Sequence, residues 1–347
     1  MRPPWPYRLP RAGRGDGVLR LRGGVLSRLL HAGGSAVVVH AWQPSPERVV
    51  LRAGAVDSAC TGTLEQAIER MRFALGVDED LSEFAREFRR HPVVGPGLRR
   101  RPTYRPKRRP WPWEALAWAV TEQLIESRRA AEIQRWVVRR WGARLEPGSS
   151  EAWDGPGRLR DVPTAASIAS RAPAELAAYD LAPSRALALV RCAREVASGR
   201  ADPGDPGGDR RLIRIPGIGP WTLQCLGLFG RGDPDSLPAG DLAFIKLVGA
   251  LAGLGRRATV AEVEEFFAPY APWRGLAGSF ALVGNPGALA EGKHLPLAAW
   301  GDEGAASAQR ASGSSSFVSS SSAARRRSVR PWSAKKPAKR THSRGSM

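Results

Sequence analysis

Two kinds of apolar spacing follow one another along the chain. Between Gly17 and Val56 the apolar residues fall in short β-rich runs, VLRL, SAVVVHAW and RVVLRAGAV, the last two separated by the turn-like QPSPE. Such runs, bounded by Gly, Pro and polar clusters, predict strands of a small antiparallel sheet. From Leu64 the period changes. In LEQAIERMRFALG, Leu64, Ile68, Met71 and Leu75 recur three and four residues apart, one face of a helix, and LSEFAREFRRH continues in the same style. A sheet followed by helices predicts an α+β N-terminal domain over residues 17–96.

A run of prolines and positive charge, GLRRRPTYRPKRRPWPW, then breaks the pattern, and residues 97–112 read as a basic Pro-rich linker or exposed loop. From residue 113 to 298 the chain is helical in pattern: WEALAWAVTEQLIESRRAAEIQRWVVRRWG, TAASIASRAPAELAAYDL, PSRALALVRCAREVASG, DLAFIKLVGALAGLG and TVAEVEEFFAPYAPWRGLAGSFALVG. These predict an all-α second domain. The ends differ. Residues 1–16, rich in Pro, Arg and Gly, read as a basic arm, and residues 299–347, Ser, Ala, Arg and Lys with little apolar content, predict a disordered basic tail.

Composition sharpens this. A chain of 347 residues suits two folded units with tails. The formal net charge is +20 with a pI near 11.2. Nine Lys and Arg and no acid lie from Ala323 onward, so the rest still carries +11. Such a field favours polyanions, nucleic acid before an acidic membrane surface. No apolar run reaches the roughly 18 residues of a membrane span, and MRPPWPYRLPRAGRG lacks the apolar core of a signal peptide. The expectation is a soluble protein, cytoplasmic and nucleoid-associated, or nuclear in a eukaryote. Cys60, Cys192 and Cys225 form no paired motif, and five histidines are scattered, so no disulfide scaffold, metal site or iron–sulfur cluster is expected.

One interruption carries chemistry. In LIRIPGIGPWTLQCLGLF, Gly217 and Gly219 bracket Ile218, and Pro220 suits the first residue of a new helix. This is a tight helix-to-helix hairpin whose exposed N–H groups, at the positive end of the second helix, suit a phosphate oxygen. A plain αα-hairpin with Ile218 plugging a core fits the same residues.

IPGIGPWT followed by LPAGDLAFIK resembles the helix-hairpin-helix DNA glycosylases, nearest to the DNA-3-methyladenine glycosylase II group. PWEALAWAVTEQLI, PTAASIASRAPAEL, SRALALVRCAREVASG and APWRGLAGSFAL extend the resemblance over residues 105–285, and the N-terminal sheet fits the extra α+β domain of that branch. The resemblance implies a monofunctional glycosylase of base excision repair, acting on alkylated bases flipped out of duplex DNA. It implies Asp241 as the catalytic carboxylate, although PAGDLAFIK equally makes Asp241 a helix N-cap. A base pocket of Trp221, Gln123, Cys225 and Leu282 follows, with Trp221 standing where bifunctional members carry a lysine. Cys225, Leu282 and Val283 occupy positions where aromatics are usual in that group, with Trp113 and Trp118 as substitute stacking candidates. DNA contacts are expected from Ile215, Gly217, Ile218, Gly219 and Thr222 of the hairpin, and from Arg105, Lys107 and Arg108 of the basic run. No cofactor is expected, except a monovalent cation on hairpin carbonyls that the resemblance allows. The protein is expected to act as a monomer on duplex DNA, away from membranes. A non-catalytic hairpin DNA-binding protein, or the same class acting on an oxidised or deaminated base, stays open. The tail reads as a non-specific DNA tether or a nuclear import signal.

Overall fold

The computed structural model describes residues 1–10, 15–57, 60–153, 155 and 157–289. The tail expected from residue 299 lies outside them. A four-stranded antiparallel meander opens the fold: β1 (Leu19–Arg22), β2 (Val25–Ala32), β3 (Ser35–Ser45) and β4 (Arg48–Ala55), in that spatial order. Two-residue Gly-Gly turns join the first three strands and set the register, with Leu26 opposite Ala41 and Leu30 opposite Val37. Helix α1 (Thr61–Leu75) lies on one face, where Ala67, Met71 and Leu75 meet Leu26, Leu30, Val37 and Val39. The other face, through Leu29 and Val38, packs on Leu145, Trp153 and Leu159. Cover on both faces explains the unbroken apolar run VVV in β3.

The remaining helices are α2 (Ser82–Phe88), α3 (Gly95–Arg100), α4 (Pro112–Glu122), α5 (Ser127–Trp141), α6 (Ala165–Ala169), α7 (Pro173–Ala177), α8 (Pro183–Ala197), α9 (Asp209–Leu212), α10 (Pro220–Cys225), α11 (Leu242–Leu251), α12 (Val260–Phe267) and α13 (Arg274–Gly284). A short ribbon, β5 (Arg144–Leu145) and β6 (Leu159–Arg160), sits between α5 and α6. Two helical cores result. One gathers Leu116, Trp118 and Val120 of α4, Ile133 and Val137 of α5 and Leu189 of α8 around Ile215, Ile218 and Leu226. The other joins α11, α12 and α13 through Phe244, Phe267 and Phe280. No helix of the described residues is long and apolar enough to cross a membrane.

Three expectations change. Helices α2 and α3, read from sequence with the sheet, supply Phe84, Phe88 and Leu98 to the second helical core. A Cβ on Gly97 would stand 2.1 Å from the Phe280 carbonyl oxygen, so only glycine lets α3 approach α13 this closely. The N-terminal arm is not loose: Tyr7 and Leu9 are buried against the sheet, and the Tyr7 hydroxyl donates to the Leu75 carbonyl at 2.9 Å. The basic run is no open linker either. Arg105 is buried, donating to the carbonyls of Tyr104, Pro6 and Glu79, and Arg108 meets the Glu79 carboxylate at 2.8 Å. Arg109 reaches Asp16 at 2.6 Å and Glu114 at 3.3 Å. Charges read as phosphate contacts at Arg105 and Arg108 are therefore committed within the fold, while Lys107 between them is half-buried.

Candidate active site and hairpin

Four short segments converge where the two helical cores meet. The hairpin comes first. Helix α9 ends at Leu212, the chain turns through Pro216 and Gly217, and α10 restarts at Pro220. Gly217 has φ of 91°, a conformation that a side chain disfavours. Ile215 and Ile218 point into the first core, so these two expected DNA-contact residues anchor the turn rather than offer their side chains. Between them, Pro216 and Gly217 are exposed. Among the described residues the amides of Gly217 and Gly219 find no acceptor, and they stand beside the N-terminus of α10. Arg210 and Arg214 are exposed on the same segment.

The second segment is the end of α4. Gln123 does not face a base pocket as its side chain stands: Nε2 donates to the Gly217 carbonyl at 2.8 Å and to Thr222 Oγ1 at 2.9 Å. The hydroxyl of Thr222, expected at DNA, is buried and engaged in that contact instead. Gln123 thus fixes the hairpin to α4. The next residue, Leu124, was missed in the sequence. It is 96% exposed and has φ of 54°, in the left-handed region, at a cost of about 1–2 kcal/mol for a residue with a Cβ. Gln123 is held on one side, and Ile125 packs on the first core on the other. Leucine is thus held in an unfavourable backbone with its side chain in water, and sequence alone shows neither property.

Helix α10 and the start of α11 complete the arrangement. The Trp221 indole Nε1–H donates to Asp241 Oδ2 at 3.4 Å. Asp241 is the N-cap of α11, its Oδ1 accepting the Ala243 amide at 2.8 Å. Capping and availability of the second oxygen therefore coexist. Among the described residues no Lys, Arg or His forms an ion pair with Asp241. Burial pushes its carboxyl above the usual range, against the stabilising bonds from Ala243 and Trp221. One turn beyond Trp221, Cys225 is buried, and its thiol is pushed well up by burial and then by Asp241 and Glu122. Leu282 packs in the second core with Phe244 and Phe280, which takes it out of the expected pocket. Trp118 is buried with its indole on Asp16, and Trp113 donates to the Pro163 carbonyl; both are structural, not stacking platforms.

A carboxylate in no ion pair among the described residues, an indole on it and a hairpin of open amides make a site that can bind a phosphate chain and stabilise positive charge near it. No family model matches the sequence. The chain is nevertheless similar in sequence and in fold to DNA glycosylases. It is 25% identical over 219 residues to a DNA-3-methyladenine glycosylase of Bacillus subtilis, covering 61% of this chain and 70% of that one. The 3-methyladenine DNA glycosylase of Archaeoglobus fulgidus superposes with a TM-score of 0.68 at 19% identity, over 82% of this chain and 97% of that one. An 8-oxoguanine glycosylase/lyase of Clostridium acetobutylicum, solved with duplex DNA, gives a TM-score of 0.61 at 16% identity, over 78% and 88%.

Proposed function

We propose that the protein is a monofunctional DNA N-glycosylase of base excision repair that removes alkylated bases from duplex DNA as a monomer. The observation that carries this reading is Asp241: a half-buried carboxylate, capped on one oxygen, touched by an indole on the other and in no ion pair among the described residues. Breaking the C1′–N bond leaves oxocarbenium character on the sugar, which a fixed anion stabilises and toward which it can orient water. The amides of Gly217 and Gly219, with Arg210 and Arg214 nearby, take the phosphates. Carbonyls of Ile213 and Ile218, which accept no hydrogen bond among the described residues, fit the oxygen ligation of a monovalent cation at the turn.

Extrusion of a base costs a few kcal/mol of stacking. Leu124 would fill the gap it leaves, and Trp221 would receive it. The residue after Pro220 is Trp221, which has no amine to form an imine with C1′, so hydrolysis would leave the strand intact. The test is incubation with methylated duplex DNA, scoring released bases, and strand breaks before and after alkali. Release of methylpurine with breaks only after alkali supports the reading. Breaks without alkali would make the enzyme bifunctional, and salt-sensitive binding without release of any base would leave a DNA-binding protein only.

A further inference from the structure

The outer face of α5 takes no part in the site described above. Gln134, on the buried face of that helix, bonds Thr121 and Glu122 of α4 at 3.0 Å each. Trp136 comes two residues later, about 200° further around the helix, and so faces away from α4, with 49% of its surface in water. Its ring lies on that of Tyr179, just beyond α7, with centroids 5.7 Å apart and planes 22° from parallel. Trp141 meets the same phenol edge-on at 5.5 Å, so the stack is braced from below. Charge gathers at this end of α5. The Arg139 guanidinium stands 5.7 Å from the centre of the Trp136 ring, and the Arg139 carbonyl accepts from Arg160 Nη1 at 3.0 Å. Arg160 lies opposite Arg144 in the β5–β6 ribbon. Arg158 and Arg144 both turn to Glu146, at 2.6 and 3.8 Å, and among the described residues it is the one acid that pairs within this cluster. Burial first, then Arg158 and Arg144, hold the Arg160 guanidinium below its ordinary range, as crowded like charge does.

Arginines alone would suit any polyanion. The aromatic stack narrows the choice. In a duplex the flat faces of the bases cover one another, whereas unpaired bases lie on aromatic rings while arginines follow the phosphates. A run of acidic side chains would pair with the arginines and leave the indole in water. We propose that Trp136 and Tyr179, with the arginines beside them, form a binding surface for single-stranded DNA, separate from the hairpin. Bases stack on the aromatic pair, which Trp141 holds in place before any ligand arrives, and Arg139, Arg144, Arg158 and Arg160 take the phosphates on either side. Such a surface would hold the chain where the duplex is locally open. It does not depend on the glycosylase reading.

The test titrates the full chain into a fluorescein-labelled oligothymidylate of about 12 nucleotides, read by anisotropy, with each variant's fold checked by circular dichroism. Trp136→Ala weakens binding about tenfold, and Trp136→Phe, which keeps a ring on Tyr179, regains most of it. Arg139→Gln with Arg144→Gln, both at exposed side chains, lowers the slope of log affinity against log salt by about 1.4, the share of two phosphates on a single strand. Photocrosslinking with an oligonucleotide that carries 5-iodo-2′-deoxyuridine labels Trp136 or Tyr179. Unchanged affinity in Trp136→Ala, or labels confined to the hairpin and the basic tail, overturns the inference. So does an oligoglutamate that binds through Trp136 more tightly than the oligothymidylate, which would make the surface a protein-docking site. A chain that releases no base from duplex DNA would overturn the glycosylase reading instead, and the single-strand measurements would decide this inference as before.

Discussion

The two ends of helix α4 treat buried acids in opposite ways. At its start, Glu114 receives both nitrogens of Arg28, one at 2.5 Å, and Arg109 bridges Glu114 to Asp16. Asp161 stands 3.7 Å from Arg28 and binds His31 at 2.9 Å. Burial works against the Arg28 charge, and the facing acids outweigh it, so its guanidinium is held above its ordinary range. At the other end of α4, Glu122 and Asp241 are also drawn from water, but hydrogen-bond donors take the place of cations. The first cluster ties the sheet to the helices. The second holds its acids by hydrogen bonds with no ion pair among the described residues, and burial pushes both carboxyls up, the kind of perturbation that marks functional sites.

Breaking the matched cluster has the largest expected effect. Arg28→Met leaves Glu114 with Arg109 and Asp161 with His31 in place of the shared guanidinium and lowers stability by about 3–5 kcal/mol, read by urea unfolding, whereas Arg28→Met with Glu114→Leu loses less. The contrast sharpens at the unmatched cluster. Asp241→Asn, which still caps α11, lowers excision by about 10²–10³-fold while binding to damaged duplex stays within a few-fold; unchanged single-turnover rates would end its assignment. Leu124→Ala, at a residue that packs on nothing, weakens lesion binding about tenfold without moving the thermal midpoint. Gln123→Ala removes two bonds to the hairpin, about 1 kcal/mol each, visible as faster amide exchange around Gly217.

The smallest effect is one of pH. The folded-state pKa of Asp241 lies above its unfolded value, so the fold holds an extra proton in that window and loses stability as pH rises through it. Asp241→Asn therefore melts slightly higher than wild type at neutral pH, and the gap closes in acid below the ordinary aspartate range. Excision runs the other way, falling as pH drops through that raised value, earlier than an ordinary aspartate would give.

Sequence pattern carried the strands, most helices and the hairpin, because each writes its own period or its own Pro and Gly. It could not say which core a helix serves. The apolar faces of α2 and α3 look alike whether they meet the sheet or α13, and only the glycine contact at Gly97 decides. Nor could it tell surface arginines from buried ones: the acid that captures Arg109 lies 93 residues away, in a segment read as an arm. Trp221 and Asp241, 20 residues apart, do come together, whereas Leu282 goes to a different core. Gln123 was legible as a site residue, but its place on the hairpin, with Glu122 beside it held by Gln134 of α5, depends on the turn at the end of α4.

The glycine-mediated seat of α3 against α13 has a consequence for synthesis. Val93, just before α3, accepts a hydrogen bond from Asn285, 192 residues later. At about 5–20 residues per second, a ribosome leaves Phe84, Phe88 and Leu98 without their partners for about 10–40 seconds. During that interval the apolar faces of α2 and α3 stay uncovered, because the residues that bury them in the second core have not yet been made.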